Sequence, residues 1–330
     1  MRVADYIGQF VKAMGCPVFM VPGGGNIYLV DGLHVAGVNL VSCHHEQAAA
    51  MAAEGYAKAS GNLGVCCVTT GCGSTNALTG VLGAWQDSTP MLVLAGQVPV
   101  LQTIASTGLP LRQFGVQEGD ILPMVDRITK YARRLDDPAY VLFHLEKACQ
   151  LATHGRPGPA WLDVPMDVQT VEIENHRLLH YGETAQAFMP TAGEIQQVKQ
   201  MLAEAVRPVV IIGQGVRLAR AQEELAEFVA ERHLPVYASW MGLDSDPAAI
   251  PIGRDCTEAN EAIRAADLVL VIGSRLSLPS VCYAPREFAP RAKVVVVDVD
   301  VNEHRKPGVP INLFIHADAG EFLRAMKGAA

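Results

Sequence analysis

An α/β fold, arranged as two doubly wound and mainly parallel sheets, follows from three features of the chain. Short apolar runs alternate with helix-patterned stretches, as strands joined by crossover helices do. The length of 330 residues is that of two domains rather than one or three. Half of the residues are hydrophobic and only 18% are charged, so the chain can bury a sizeable core.

Taken in order, Val3 to Met14 reads as a helix and Pro17 to Met20 as a strand. Asn39 to Ser42 is a short strand, and Glu46 to Ala59 a helix closed by Gly61, a favoured residue just past a helix end. Gly64 to Thr69 is a buried strand, Thr75 to Gln86 a helix and Met91 to Ala95 a strand. Pro138 to His154 is helical, and GPAWLDVP, Gly158 to Pro165, closes the first domain, 1–168. The periodicity then dissolves into mixed charges and histidines, so 169–190 is expected to be a linker. Order resumes at Thr191-Ala192-Gly193-Glu194, a capping-box spacing in which hydroxyl and carboxylate each satisfy an orphan N–H. Ile195, Val198 and Leu202 give that helix one apolar face. Four strands follow, at 207–213, 234–239, 267–273 and 293–300, which makes 191–330 a second doubly wound domain.

Composition narrows the function. Lys plus Arg total 26 against 34 Asp plus Glu, a net charge of -8, and no basic stripe is visible, so neither nucleic acid nor an anionic membrane is an expected partner. The eight cysteines form no C-x-x-C pair and most lie in apolar runs, which fits free thiols in a reducing cytoplasm. MRVADYIGQF lacks the apolar stretch of a signal peptide, and no segment is long and apolar enough to cross a bilayer.

Three constellations carry candidate chemistry. The first is Glu46, heading an alanine-rich helix in HHEQAAAMAAEGYAKASG. Its plain reading is an acid in a first helical turn, where the helix dipole favours negative charge. Its functional reading is a carboxylate in apolar surroundings, able to share a proton with a bound ring nitrogen. The second is a pair of glycine turns after strands, VPGGGN (21–26) and TTGCGSTN (69–76), where a backbone can approach a ligand closely. With Glu46 they put three candidate contacts at strand C-termini, the ligand-binding edge of open α/β sheets. The third is Gly213-Gln214-Gly215. Leu218 replaces the third glycine of a dinucleotide fingerprint, and the next strand ends in Ser239-Trp240 without a ribose-binding acid, so an ordinary nicotinamide site is rejected. Another nucleotide stays open, with Arg275 after a later strand as a phosphate contact or simply a surface arginine. His44 and His45 have no accompanying ligand cluster, and no metal site is expected on this chain.

HHEQAAAMAAEGYAKASG followed by GVCCVTTGCGSTNALTGVLGAWQDSTPMLVLAGQV resembles the pyrimidine-binding domain of thiamine diphosphate enzymes, in the acetolactate synthase branch. VFMVPGGGNIYLVDGL and GRPGPAWLDVPMDV match the opening and closing segments of that domain. RPVVIIGQG, ADLVLVIGSRLS and VVVVDVDVNE are similar to the family's Rossmann-like central domain. The resemblance implies that Glu46 bonds N1′ of the cofactor's aminopyrimidine and favours the imino tautomer that deprotonates thiazolium C2. The carbanion then attacks a 2-keto acid, carbon dioxide leaves, and a carbonyl acceptor is added. It implies further that Pro22, Gly23, Gly24, Thr70, Gly71 and Asn76 line the pyrimidine side, and that Gln117 stands near the reacting carbon.

The chain departs from the family pattern at several places. Cys72 stands where a proline is usual, the segment between Pro99 and Gln117 is longer, and Val116 replaces an aromatic, which leaves the acceptor open. Acetolactate synthases bind FAD on the central domain, but Leu276 to Cys282 lacks the acidic–basic sequence usual there, so flavin stays an open alternative. The family's diphosphate-binding domain holds Mg²⁺ through a G-D-G motif and an asparagine pair. Here Gly119-Asp120 continues into Ile121, and the sequence reaches EFLRAMKGAA where the central domain should end. The expectation is a split decarboxylase or carboligase that self-associates and takes its magnesium–diphosphate domain, roughly 150 residues or more, from a partner chain. The alternative is a non-catalytic assembly or nucleotide-binding module of the same descent.

Overall fold

A computed structural model describes residues 1–174 and 177–327. The linker expected over 169–190 includes Asn175 and His176, and the domain expected over 191–330 includes 328–330; these five lie outside the described residues. The chain divides into two compact units, Met1–Ala185 and Gln186–Ala330. Among the described residues no helix is long and apolar enough to span a membrane.

The first unit holds six parallel strands: β1 (Val18–Met20), β2 (Leu40–Ser42), β3 (Gly64–Val68), β4 (Met91–Gln97), β5 (Tyr131–Arg134) and β6 (Pro159–Pro165). They lie side by side in the order β2-β1-β3-β4-β6-β5. β3, β4 and β6 are buried along their whole length, which is why they read as unbroken apolar runs instead of alternating ones. The order reverses between β1 and β3, so the crevice at their carboxyl ends is the topological switch point of the sheet.

Five helices matter to this edge: α1 (Val3–Met14), α2 (Ile27–Val35), α3 (Glu46–Ser60), α4 (Cys72–Asn76) and α5 (Leu78–Gln86). α2 has no counterpart in the sequence reading. It follows a single 3₁₀ turn at Gly24–Asn26, so the glycine run feeds a helix directly. The helix expected over Thr75–Gln86 is two helices, because the chain turns at Ala77 between α4 and α5. The segment expected as a linker begins inside the first unit. Gln169 is fully buried, accepts the Leu29 N–H at 3.2 Å and donates to the Gly25 carbonyl at 2.7 Å.

The second unit has six parallel strands where the sequence reading gave four: β7 (Pro208–Ile212), β8 (Val236–Ala238), β9 (Ile250–Pro251), β10 (Leu268–Ile272), β11 (Lys293–Asp298) and β12 (Leu313–His316). The additions, β9 and β12, are the two edge strands, of two and four residues. The order β12-β11-β10-β7-β8-β9 reverses between β7 and β10, so this unit has its own switch point. The capping box at Thr191 forms as expected, with Glu194 N–H donating to Thr191 Oγ1 at 3.2 Å and Thr191 N–H to Glu194 Oε2 at 2.7 Å.

Backbone approach governs the packing of α1 on α2. A Cβ at Gly32 would overlap the carbonyl of Ala4 and stand 3.0 Å from the amide nitrogen of Asp5. A Cβ at Gly55, on the exposed face of α3, would meet nothing within 4 Å. Gly32→Val is therefore expected to destabilise the first unit by about 1–3 kcal/mol through overpacking. Gly55→Ala is expected to stabilise it by roughly 0.5–1 kcal/mol, since only helix propensity changes. Denaturant titration of both variants measures the opposite signs.

Candidate active site

The site is built at the switch point of the first sheet. The turn after β1 is held by Asn26, which is buried: its Oδ1 accepts the Gly23 N–H at 2.8 Å and its Nδ2 donates to the Val21 carbonyl at 3.1 Å. The turn after β3 packs directly against it. Gly25 N–H donates to Thr69 Oγ1 at 3.0 Å, and a Cβ at Gly23 would stand 2.7 Å from Thr69 Cβ, so neither turn has room for a side chain between them. Ser74 Oγ closes the second turn on the Thr69 carbonyl at 2.8 Å.

Glu46 opens α3 beside this pair. Its Oε2 accepts from Asn76 Nδ2 at 3.0 Å, and a Cβ at position 73 would come within 3.3 Å of its Oε1. Gly73 therefore keeps one carboxylate oxygen accessible from the turn. The helix start is capped by His45, whose Nδ1 accepts the Gln47 N–H at 3.2 Å, and that bond gives the ring a structural role. Among the described residues no three His, Cys, Asp or Glu side chains gather into a metal-binding set.

One expectation needs correction. Glu46 is half-buried, not sealed in apolar surroundings. The helical period turns Ala49, Ala50, Ala53 and Ala57 inward, against the sheet and α5, while Glu46 at the first position projects to the rim. The alanines allow close helix packing; they do not surround the carboxylate.

Gln117 arrives from a distant segment. It holds a left-handed backbone, φ 58°, with an exposed side chain, and its carbonyl lies so close to Gly71 that a Cβ there would overlap it. Gly71 itself has φ 59°, a conformation that disfavours a side chain independently of space. Glu46, Gly23, Thr70, Gly71, Asn76 and Gln117 thus share one edge, with Pro22 and Gly24 exposed on the first turn. Glu118, which the sequence reading passed over, is buried and accepts the backbone N–H groups of Ile104, Phe114 and Gly115. It fastens the segment that carries Gln117.

Gly213, Gly215 and Arg275 lie on the second unit, at its own switch point. Gly215 N–H donates to the Gly273 carbonyl at 2.9 Å, and a Cβ at Gly213 would stand 2.6 Å from Ser274 Cα. Both glycines are accounted for by the neighbouring turn of the same chain. Arg275 is exposed, and its carbonyl accepts from Lys306 Nζ at 2.6 Å.

Beneath the first site lies a buried carboxyl. Asp163 is 2% exposed, accepts Gln97 Nε2 on Oδ2 at 3.0 Å, and has no hydrogen-bond partner on Oδ1 among the described residues. Burial raises its pKa to about 7, against the opposing pull of the Gln97 bond and the Arg134 charge. The folded protein keeps a proton that the unfolded chain releases near pH 4. Stability from this group is therefore full below about pH 4, falls as pH rises to about 7, and is flat above. Asp163→Asn, neutral at every pH, is expected to remove that part of the decline, on the order of a few kcal/mol. Urea unfolding of both proteins at pH 5 and pH 8 checks it; equal slopes against pH would contradict the assignment.

Both units match known protein domains. Residues 1–107 match the thiamine pyrophosphate enzyme N-terminal TPP binding domain, and residues 195–326 match the central domain of the same enzymes. A probable acetolactate synthase large subunit of Methanocaldococcus jannaschii is 35% identical, over 100% of this chain and 56% of that protein. The acetolactate synthase isozyme 2 large subunit of Escherichia coli K12 is 35% identical, over 93% of this chain and 55% of that protein. The acetolactate synthase large subunit of Lactococcus lactis is 33% identical, over 89% and 52%. The chain spans little more than half the length of these curated relatives. With two turns and an acid assembled at the switch point of its first sheet, and with both matches in the family's order, the chain belongs to the thiamine pyrophosphate enzymes, of which it carries the N-terminal and central domains.

Proposed function

We propose that this chain supplies the pyrimidine half of the cofactor site in an acetolactate synthase-type decarboxylase or carboligase acting on a 2-keto acid. The observation that carries the reading is Glu46, with one oxygen held by Asn76 and the other beside Gly73, next to two glycine turns. The residues fit the group. Glu46 offers an acid held by Asn76 at the carboxyl edge of the sheet, with Oε1 left beside Gly73, as a ring nitrogen of the cofactor would need. Thiamine diphosphate, when bound, supplies an acidic carbon that becomes the nucleophile toward a keto carbon. Glu46 holds a proton at pyrimidine N1′ and takes it back, a transfer that needs an acid within hydrogen-bond reach of the ring. Asn76 keeps that acid from swinging toward solvent. Gln117, on the wall formed with Gly71, would face the reacting end of the bound cofactor.

The diphosphate and its magnesium are held, in this reading, by a domain outside these 330 residues. No flavin is assigned to the second unit, because the glycines expected to admit a nucleotide are occupied by their own neighbouring turn.

Glu46→Gln in the assembled enzyme is expected to keep the fold and assembly while lowering turnover of a 2-keto acid by roughly 10²–10⁴-fold. Retention of most of the turnover would refute the role of Glu46 and favour an assembly module, which needs no acid there. Native mass spectrometry of the active protein purified from its source is expected to find a further domain of roughly 150 residues or more accompanying this sequence, on the same polypeptide or on another. An active protein without such a domain would refute the reading.

A further inference from the structure

Gln97, the last residue of β4, is 3% exposed and sits at the centre of a polar chain that the proposed chemistry leaves unused. Its Oε1 accepts the Thr70 hydroxyl at 2.6 Å and the Val98 N–H at 2.9 Å. Its Nε2 donates to the Gly119 carbonyl at 3.2 Å and to Asp163 Oδ2 at 3.0 Å. Both amide hydrogens and both lone pairs are thereby used.

The partners stand on the two walls of the site. Thr70 belongs to the turn after β3, and Gly119 follows Gln117 by two residues. These walls meet as backbone where Gly71 lies against the Gln117 carbonyl. Gln97 is hydrogen-bonded to both. Asp163 completes the arrangement at a cost, since a buried carboxyl with an unpartnered oxygen is destabilising and an apolar side chain would fill the space without that penalty. What the carboxyl adds is an acceptor. With the Gly119 carbonyl it draws Nε2 to one side, which leaves Oε1 facing the Thr70 hydroxyl.

We infer that Gln97, oriented by Asp163, is a positioning residue that sets the separation of the Thr70 turn and the Gln117 segment, so that Glu46 and Gln117 address one bound thiamine diphosphate. This rests on the thiamine diphosphate reading above. It is distinct from that reading in what it requires, because the two segments must be coupled through Gln97 whether or not a ligand is bound.

The test compares Gln97→Met, Asp163→Asn and Asp163→Leu. Amide hydrogen exchange is followed on the full chain over residues 69–76, 115–120 and, as a reference, 3–14. Thiamine diphosphate is titrated into the assembled enzyme. Gln97→Met is expected to speed exchange in both wall segments while leaving 3–14 unchanged, and to weaken thiamine diphosphate about tenfold, the worth of one or two lost hydrogen bonds. Asp163→Leu should behave the same way. Asp163→Asn, whose amide oxygen still accepts from Gln97, should restore both readouts to within about twofold of the wild type. Wild-type exchange in both walls of Gln97→Met overturns the inference, as does faster exchange spread equally to 3–14, which marks general destabilisation. If the walls loosen but the wild-type assembly binds no thiamine diphosphate, the coupling through Gln97 stands and the cofactor reading falls. If the wild type binds and the walls of Gln97→Met exchange normally, the reverse holds.

Discussion

The hydrogen bond from Asn76 Nδ2 to Oε2 of Glu46 joins the first turn of one helix to the last residue of another, and the site depends on it. A glutamate at a helix start has three rotatable bonds and a charged end that water solvates well. Without a partner it would have no reason to stay over the turn. The partner comes from α4, which follows β3 directly, and α3 is the crossover that leads into β3. Because the strands are parallel, the acid and the amide that holds it emerge on the same edge.

The remaining geometry is fixed by backbone packed on backbone. Gly71 lies against the Gln117 carbonyl, and Gly73 against Thr69 and the Glu46 carboxylate. Such contacts leave little freedom to adjust, so the cost of holding them is carried elsewhere. It shows as a left-handed Gln117 and as the buried polar groups of Asn26, Gln97, Glu118 and Asp163, nearly all of whose hydrogen-bonding capacity is spent on main-chain atoms or on one another. A core optimised for stability alone would have no use for an Asp163 with a bare oxygen.

Part of this was legible in the residue order. Strands buried on both faces announce themselves as apolar runs, so β3, β4, β6, β7, β10 and β11 could be found, and an acid before an alanine run marks a helix start. The glycine turns were legible because each follows a strand. What escaped has a common cause. Gln97 and Asp163 stand inside apolar strand runs, where a single polar residue carries no period, and their meaning comes from each other across 66 positions of sequence. Gln169 was read as the head of a linker because its burial depends on Gly25 and Leu29, far back in the chain. The alanines after Glu46 misled for a related reason, since composition records that a helix is apolar but not which way its first residue faces. Gly213 and Gly215 show the converse: a glycine pattern that invites a ligand can be satisfied by the adjacent turn.

A crystal structure of the assembled enzyme with thiamine diphosphate measures the contact between Glu46 and the pyrimidine ring directly. Oε1 of Glu46 is expected about 2.6–3.2 Å from pyrimidine N1′, with the ring at the sheet edge beside the Gly23–Gly25 and Gly71–Gly73 turns. A pyrimidine bound elsewhere, or one whose N1′ is met by water or by a different side chain, would contradict it.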